Sequence, residues 1–338
     1  MEKWFVCSDI HDDEQALSAF ADYAQAQGAN RLIVLGDLAL RPYDKHDLEQ
    51  LIKNVDPKFL NAVINVQHPL QMQAARKFLT GRLDFRVAIK DFLKAKDADY
   101  GDTLGEMKRI LDATGVPYHV IPGNYDSDIE HVFRDSNVHK KAFTLGEAKV
   151  LGYGGADALP PHIGLLFMLG EVMESEQIVS FDHKELYDLL KKEQPAVGFI
   201  HTPPHLLCDD AHNGENAGTP ATTKYIVEHG PKLILSGHIH EAGPNGNNPN
   251  GVRGISGLNN SKMNTKTLVL NPGNLGRFEL LHPQTLDSLL PIEKAFDYGT
   301  FSEVHVEPDG TPKKLFQYTV QVEGRSIGQV RLIGDFTI

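Results

Sequence analysis

Leu233-Ile234-Leu235-Ser236-Gly237-His238-Ile239-His240 is the stretch that decides how the rest of the chain reads. A short apolar run of this kind reads as a buried strand. The glycine after it lets the backbone turn sharply. His238-x-His240 then sets two imidazoles on one side of an extended segment, because alternate residues share a face. Four more stretches repeat the plan. Phe5-Val6-Cys7 leads into Asp9-Ile10-His11, and Leu32-Ile33-Val34-Leu35 into Gly36-Asp37. Val120-Ile121 leads into Gly123-Asn124-Tyr125-Asp126, and the run 197–200 into His201. Ligand sites in α/β sheets form outside the carboxyl ends of the strands. Five strands therefore deliver polar groups to one edge.

Read as ligands, these pieces are Asp9, His11, Asp37, Asn124, His201, His238 and His240. The set holds nitrogen and oxygen but no sulfur, which suits divalent manganese, iron or zinc. Two such ions about 3.5–4 Å apart hold a phosphate and generate hydroxide at neutral pH. Asp37 is a natural bridge, since a carboxylate has two oxygens to share, and Asn124 adds a neutral carbonyl oxygen. With only two carboxylates the site keeps net positive charge, which favours a phosphate. Each piece alone has a plainer reading. Asp9 would be a helix-start carboxylate, Asp37 or Asn124 a turn residue, and His201 a core histidine. The seven together, in this order, point to a two-metal centre.

Composition narrows the class. The chain has 338 residues, 41% hydrophobic and 23% charged, ordinary for a globular protein. A net charge of −12 disfavours nonspecific binding to nucleic acid or anionic membrane. No apolar run approaches the roughly 20 residues that span a bilayer, and the first residues run straight into a strand without a signal peptide. Two cysteines, Cys7 at a strand end and Cys208 in a polar loop, make no disulfide framework and fit the cytoplasm. Of the sixteen histidines, those outside the motifs, such as His46, His131, His139 and His183, read as solvated surface. The oligomeric state is left open.

The pattern predicts a strand at 4–7, a helix from Asp12 and Asp13 to about Gln27, and a strand at 32–35. Residues 44–116 read as a helical insert in pieces 44–54, 58–79, 84–98 and 103–114, with a strand at 118–121 after it. Further strands are expected at 148–152, 196–200, 232–235 and 267–270, and helices at 182–193 and 220–229. Thr219 and Pro220 mark the start of the last helix. From about 275 to 338 the chain reads as β-rich, with strands at 278–281, 303–307, 316–322 and 328–332. The whole reads as one domain, 1–338.

The ordered motifs Asp9-x-His11, Gly36-Asp37, Gly123-Asn124-Tyr125-Asp126, His201 and Gly237-His238-x-His240 resemble the calcineurin-like metallophosphoesterase superfamily. The resemblance implies a four-layer α-β-β-α sandwich of two mixed sheets, here with a helical insert. It also implies one ion on Asp9, His11, Asp37 and His240, and a second on Asp37, Asn124, His201 and His238. The implied reaction is attack of a metal-activated hydroxide on a small phosphoester, with Asp37, Asn124, Tyr125 and His201 at the catalytic centre. His201-Thr-Pro-Pro, 212–219, 236–241 and Asn271-Pro-Gly look like a narrower bacterial and archaeal group. Two positions depart from the pattern. Tyr125 stands where the family has a histidine that serves the leaving group, and Leu40 where it has an Asp or Asn. A tyrosine of pKa about 10 is a poorer acid, which tilts the expected substrate toward phosphodiesters or activated monoesters. Expected substrate contacts are Tyr125, His205, His212, Asn213 and Arg277. A nuclease and a catalytically silent scaffold are the alternatives. The acidic balance opposes the first, and the complete ligand set opposes the second.

Overall fold

Strand alternation sorts the side chains into layers. In β1 (Glu2–Cys7), Trp4 and Val6 enter one apolar cluster while Phe5 and Cys7 enter another. In β2 (Arg31–Val34), Ile33 joins the first cluster, and Leu32 and Val34 the second. This is the signature of strands buried on both faces. The structure, a computed structural model, describes residues 1–39, 83–124, 126, 129–156, 179, 181–211, 214–243, 255–256, 266–281, 292–296, 299–323 and 326–338.

Two six-stranded mixed sheets result. In the first, β1, β2 and β3 (Tyr118–Val120) are parallel. On the other side of β1, β12 (Gly299–Val306), β13 (Pro312–Glu323) and β14 (Ser326–Thr337) add antiparallel. The second sheet has β5 (Ala148–Tyr153), β6 (Val197–Ile200), β7 (Leu233–Leu235) and β9 (Leu268–Leu270) in parallel. Its antiparallel edges are β4 (Lys141–Leu145) and β8 (Ile255–Ser256). A separate pair joins β10 (Phe278–Leu281) to β11 (Ile292–Phe296).

Between the sheets lies a core of residues from both, including Trp4, Ile33, Leu35, Phe199, Leu235 and Val304. Trp4 meets Phe199 edge to face, with ring centroids 6.0 Å apart, a favoured aromatic geometry. Helices α1 (Glu14–Ala26) and α2 (Leu83–Ala113) cover the outer face of the first sheet. Helices α4 (His183–Glu193) and α5 (Pro220–His229) cover the outer face of the second. A short α3 (Ile129–Phe133) follows β3. The layers therefore run α-β-β-α. Among the described residues, no helix is long and apolar enough to cross a membrane.

The helix ends follow local chemistry. Asp13 accepts a hydrogen bond from Ala16 N, Asp182 accepts from Lys184 N and Glu185 N, and Thr219 accepts from Ala221 N. Each cap satisfies an otherwise unpaired first-turn N–H.

Four expectations are corrected. The pieces 84–98 and 103–114 are one helix, α2. Gly101 and Gly105 each cost about 1 kcal/mol in a helix. Burial of Leu104, Met107 and Leu111 outweighs this, at about 1.5–3 kcal/mol each, and with Tyr100 they form a buried stripe against α1. The insert's residues 44–82, with its pieces 44–54 and 58–79, lie outside the described residues, and α2 belongs to the outer helical layer. His139 is half-buried rather than solvated. Its Nδ1 accepts from Gly154 N at 2.8 Å, and burial pushes its pKa down to about 4. Cys208 is buried, as is Cys7, and both thiols are free. Finally, β4, β8 and β11 were not anticipated from the sequence, and β12 starts at Gly299 rather than 303.

Candidate metal centre

The residues after β1, β2 and β3 of the first sheet meet those after β6 and β7 of the second at one edge of the sandwich. Backbone hydrogen bonds knit the loops together. Asp9 N donates to Gly36 O at 2.9 Å, Ile10 N and His11 N donate to Asp37 O at 2.8 and 3.1 Å, and Gly237 N donates to His201 O at 2.9 Å. The contact is too close for side chains. A Cβ on Gly36 would sit 2.3 Å from Gly123 N, and one on Gly237 would sit 1.8 Å from Ser8 Oγ. Asp9, His11, Asp37 and His238 adopt positive φ of 54°, 50°, 50° and 65°. Non-glycine residues held there cost about 1–3 kcal/mol each and cluster at functional sites.

Two ligand groups form. In the first, the ligand atoms of Asp9, His11 and His240 lie within 4.8 Å of one another; in the second, those of Asp37, His201 and His238 do. His11 Nε2 and His240 Nε2 are 3.1 Å apart, and His240 Nε2 is 3.1 Å from Asp9 Oδ1. In the second group, His201 Nδ1 hydrogen-bonds Leu35 O at 2.6 Å. That bond sets the tautomer and aims Nε2 into the site, 3.4 Å from Asp37 Oδ2, the usual support of a metal-bound histidine. Asn124, one residue after the Gly123 that packs against Asp37, is buried, with Oδ1 lacking a hydrogen-bond partner among the described residues, as does His201 Nε2. Buried polar atoms in folded proteins are almost always satisfied. An orphaned imidazole nitrogen facing a carboxylate, with an orphaned amide oxygen on the neighbouring loop, fits a divalent cation.

The electrostatics agree. Burial, and then the charge of His240, hold His11 down to about 4, and burial with His201 does the same to His238. Both rings are therefore neutral and keep lone pairs to give. Burial opposes charge on His201, yet the Asp37 carboxylate beside it pushes its pKa up to about 9. Burial likewise opposes charge on His240, and Asp9 raises it. Against their own burial, Asp9 and Asp37 are held low, chiefly by His240 and His201 respectively. Two buried carboxylates thus demand positive charge, and each raises the pKa of the histidine beside it, Asp37 that of His201 and Asp9 that of His240.

A calcineurin-like phosphoesterase family model matches residues 3–242. The chain belongs to this family. Similar solved structures include TT1561 of Thermus thermophilus, 18% identical, with 86% of this chain and 97% of that one covered and a TM-score of 0.43. A dimetal phosphatase from Danio rerio is 10% identical, with 100% and 98% covered and a TM-score of 0.46. No curated protein matches the chain. The phosphoesterase motifs all lie inside the matched residues.

The remaining site expectations concern substrate contacts. Tyr125, His212 and Asn213 lie outside the described residues. His205 turns toward its own loop, with Nδ1 3.5 Å from Asp209 Oδ2. Arg277 is held by Asp13, Nε to Oδ2 at 2.6 Å and Nη2 to Oδ1 at 3.0 Å. These two lie beside His11 in a cleft of about 490 Å³ that Asp12, Glu14 and Gln15 also line.

One brace was missed. Asp126 is buried and accepts from Gly123 N at 2.7 Å, Leu38 N at 3.1 Å and Ala39 N at 3.4 Å. It ties the Asn124 loop to the Asp37 loop. Burial, and then Asp37, push its pKa up to about 7. Its place two residues after Asn124 was the available signal, but a brace that reaches across 88 residues leaves no local pattern.

Proposed function

We propose that this phosphoesterase hydrolyses a small phosphoester using two divalent ions, manganese, iron or zinc. One ion is held by Asp9, His11, Asp37 and His240, and the other by Asp37, Asn124, His201 and His238. The convergence of six of these side chains into two groups, with Asn124 Oδ1 and His201 Nε2 buried and orphaned, supports this reading. Ions bound there supply Lewis acidity toward phosphoryl oxygens and a lowered pKa for water. The chain's own part is to keep His11 and His238 neutral, to aim His201 Nε2 through Leu35 O, and to hold Asp37 between the two groups. Two free, buried cysteines support a cytoplasmic setting.

Tyr125 supports a preference for phosphodiesters and activated monoesters, since a phenol donates a proton poorly at neutral pH. The test is a metal-reconstituted assay over mono- and diesters of graded leaving-group pKa, on wild type and Tyr125→His. Wild type should favour aryl esters, and the variant should gain most on alkyl esters, toward the roughly 10²–10⁴-fold that general acid catalysis provides. Equal dependence on leaving-group pKa in both proteins refutes the role of Tyr125. Absence of metal-dependent hydrolysis across the whole panel refutes the reading itself.

A further inference from the structure

We infer that segment 271–277, which contributes no ligand and lies beyond the matched residues 3–242, is a positioning strut for the Asp9–His11–His240 ion, an inference that rests on the two-ion reading above. The segment follows β9 and is buried from 271 to 276. It runs along the backbone of the Asp9–His11 loop. Leu275 N donates to Ser8 O at 2.8 Å and Gly276 N to Asp9 O at 3.1 Å. The fit leaves no room for a side chain, because a Cβ on Gly276 would lie 1.6 Å from Ile10 O.

Side chains fasten both ends. At one end, Asn271 Nδ2 donates to Gly237 O at 3.1 Å and Ile239 O at 3.0 Å, the carbonyls either side of His238 and the last before His240. Its Oδ1 accepts from Gly273 N at 2.8 Å. At the other end, Arg277 donates to Asp13 from its backbone N at 3.0 Å as well as from the guanidinium. Asp13 also caps α1 through Ala16 N. The Asp9–His11 loop is thereby clamped between β1 and a helix start that Arg277 anchors. A guanidinium gripping a carboxylate at two nitrogens fixes orientation as well as distance. Arg277 holds Asp13, two residues beyond His11, so its effect should fall on the ion that His11 binds. Asn271 touches the loop carrying both His238 and His240, so its effect should be broader.

The experiment is manganese titration of metal-stripped protein by calorimetry, with bound metal measured on the same samples. Wild type should take up two equivalents. Arg277→Gln should weaken one of them by about 10–100-fold, the usual consequence of losing support behind a ligand, and leave the other as in wild type. In an Asn124→Ala background, where the ion on Asp9, His11 and His240 remains, Arg277→Gln should weaken that remaining ion by the same factor. Arg277→Lys should recover only part of the affinity, because an ammonium lacks the planar fork. Asn271→Asp should weaken both ions. Unchanged binding in Arg277→Gln, or equal weakening of both ions, overturns the strut while the two-ion reading stands. Uptake of fewer than two equivalents by wild type overturns that reading and the strut with it.

Discussion

The two ligand groups look alike in composition, one carboxylate and two histidines each, yet they are held by different parts of the chain. The Asp37–His201–His238 group is braced from within the matched residues. Leu35 O orients His201, and Asp126 gathers the N–H groups of Leu38, Ala39 and Gly123. The Asp9–His11–His240 group leans on residues that come after them, Leu275, Gly276 and Arg277, while Asn271 holds the loop that carries a histidine of each group. Equivalent ligands do not make equivalent sites. What lies behind a ligand sets how much of its binding energy survives thermal motion.

The largest expected effect removes what the groups share. Asp37→Ala should abolish uptake of both ions and lower kcat/KM by about 10³-fold or more, given the several kcal/mol that metal ions contribute. Asn124→Ala should weaken one ion only. Metal analysis after saturation with manganese checks both, and loss of a single ion from Asp37→Ala would show that it does not bridge.

Asp126→Asn sharpens the contrast from the other side. It keeps the shape but turns an amide N–H toward backbone donors. It should weaken the ion on Asp37, Asn124, His201 and His238 by about 10–100-fold and spare the other, the reverse of Arg277→Gln. The same weakened ion in both variants would erase the distinction between the two groups.

A smaller effect concerns protons. His201, raised to about 9, carries a proton at pH 7 that a metal must displace, and Asp9 shifts His240 in the same direction against its burial. Loading should release about one proton per molecule or more at pH 7, and affinity should rise with pH up to about 9. Calorimetry in buffers of different ionisation enthalpy measures this, and a release near zero would contradict a charged His201.

The smallest effect separates the centre from ordinary burial. His119 packs 4.9 Å from the Phe143 ring, and neither ring nitrogen has a hydrogen-bond partner among the described residues. Burial pushes its pKa down to about 4 from 6.5. The unfolded chain therefore binds a proton that the folded one refuses between those values. Stability is full above pH 6.5 and is lost as pH falls toward 4. His119→Phe should flatten that part of the urea-midpoint profile without altering metal uptake. A profile as steep as wild type would mean that His119 is not responsible.

Much of the site was legible because its signals are local. Leu32-Ile33-Val34-Leu35 followed by Gly36-Asp37 needs only neighbouring residues to be read as a buried strand delivering a carboxylate. The same holds for Thr219-Pro220, whose capping geometry depends on three residues. Asp126 and Arg277 were not legible in their observed roles. Each acts through a partner far away in sequence, Leu38 at 88 residues and Asp13 at 264. A side chain's partner is chosen by where strands pair, not by its neighbours along the chain.

The ligand types, their order and their attachment to strand ends are written locally in the chain, since apolar runs and turn residues act over a few positions. Tertiary structure alone decided that β12 would pair with β1, Glu2 opposite Val306, and so bring the C-terminal strands into the first sheet. It also decided how six of the seven ligands divide into two groups, and that segment 271–277 closes behind one of them. Those outcomes rest on burial of faces and backbone pairing between distant segments, where the favoured partner is the one that leaves the fewest polar groups unsatisfied.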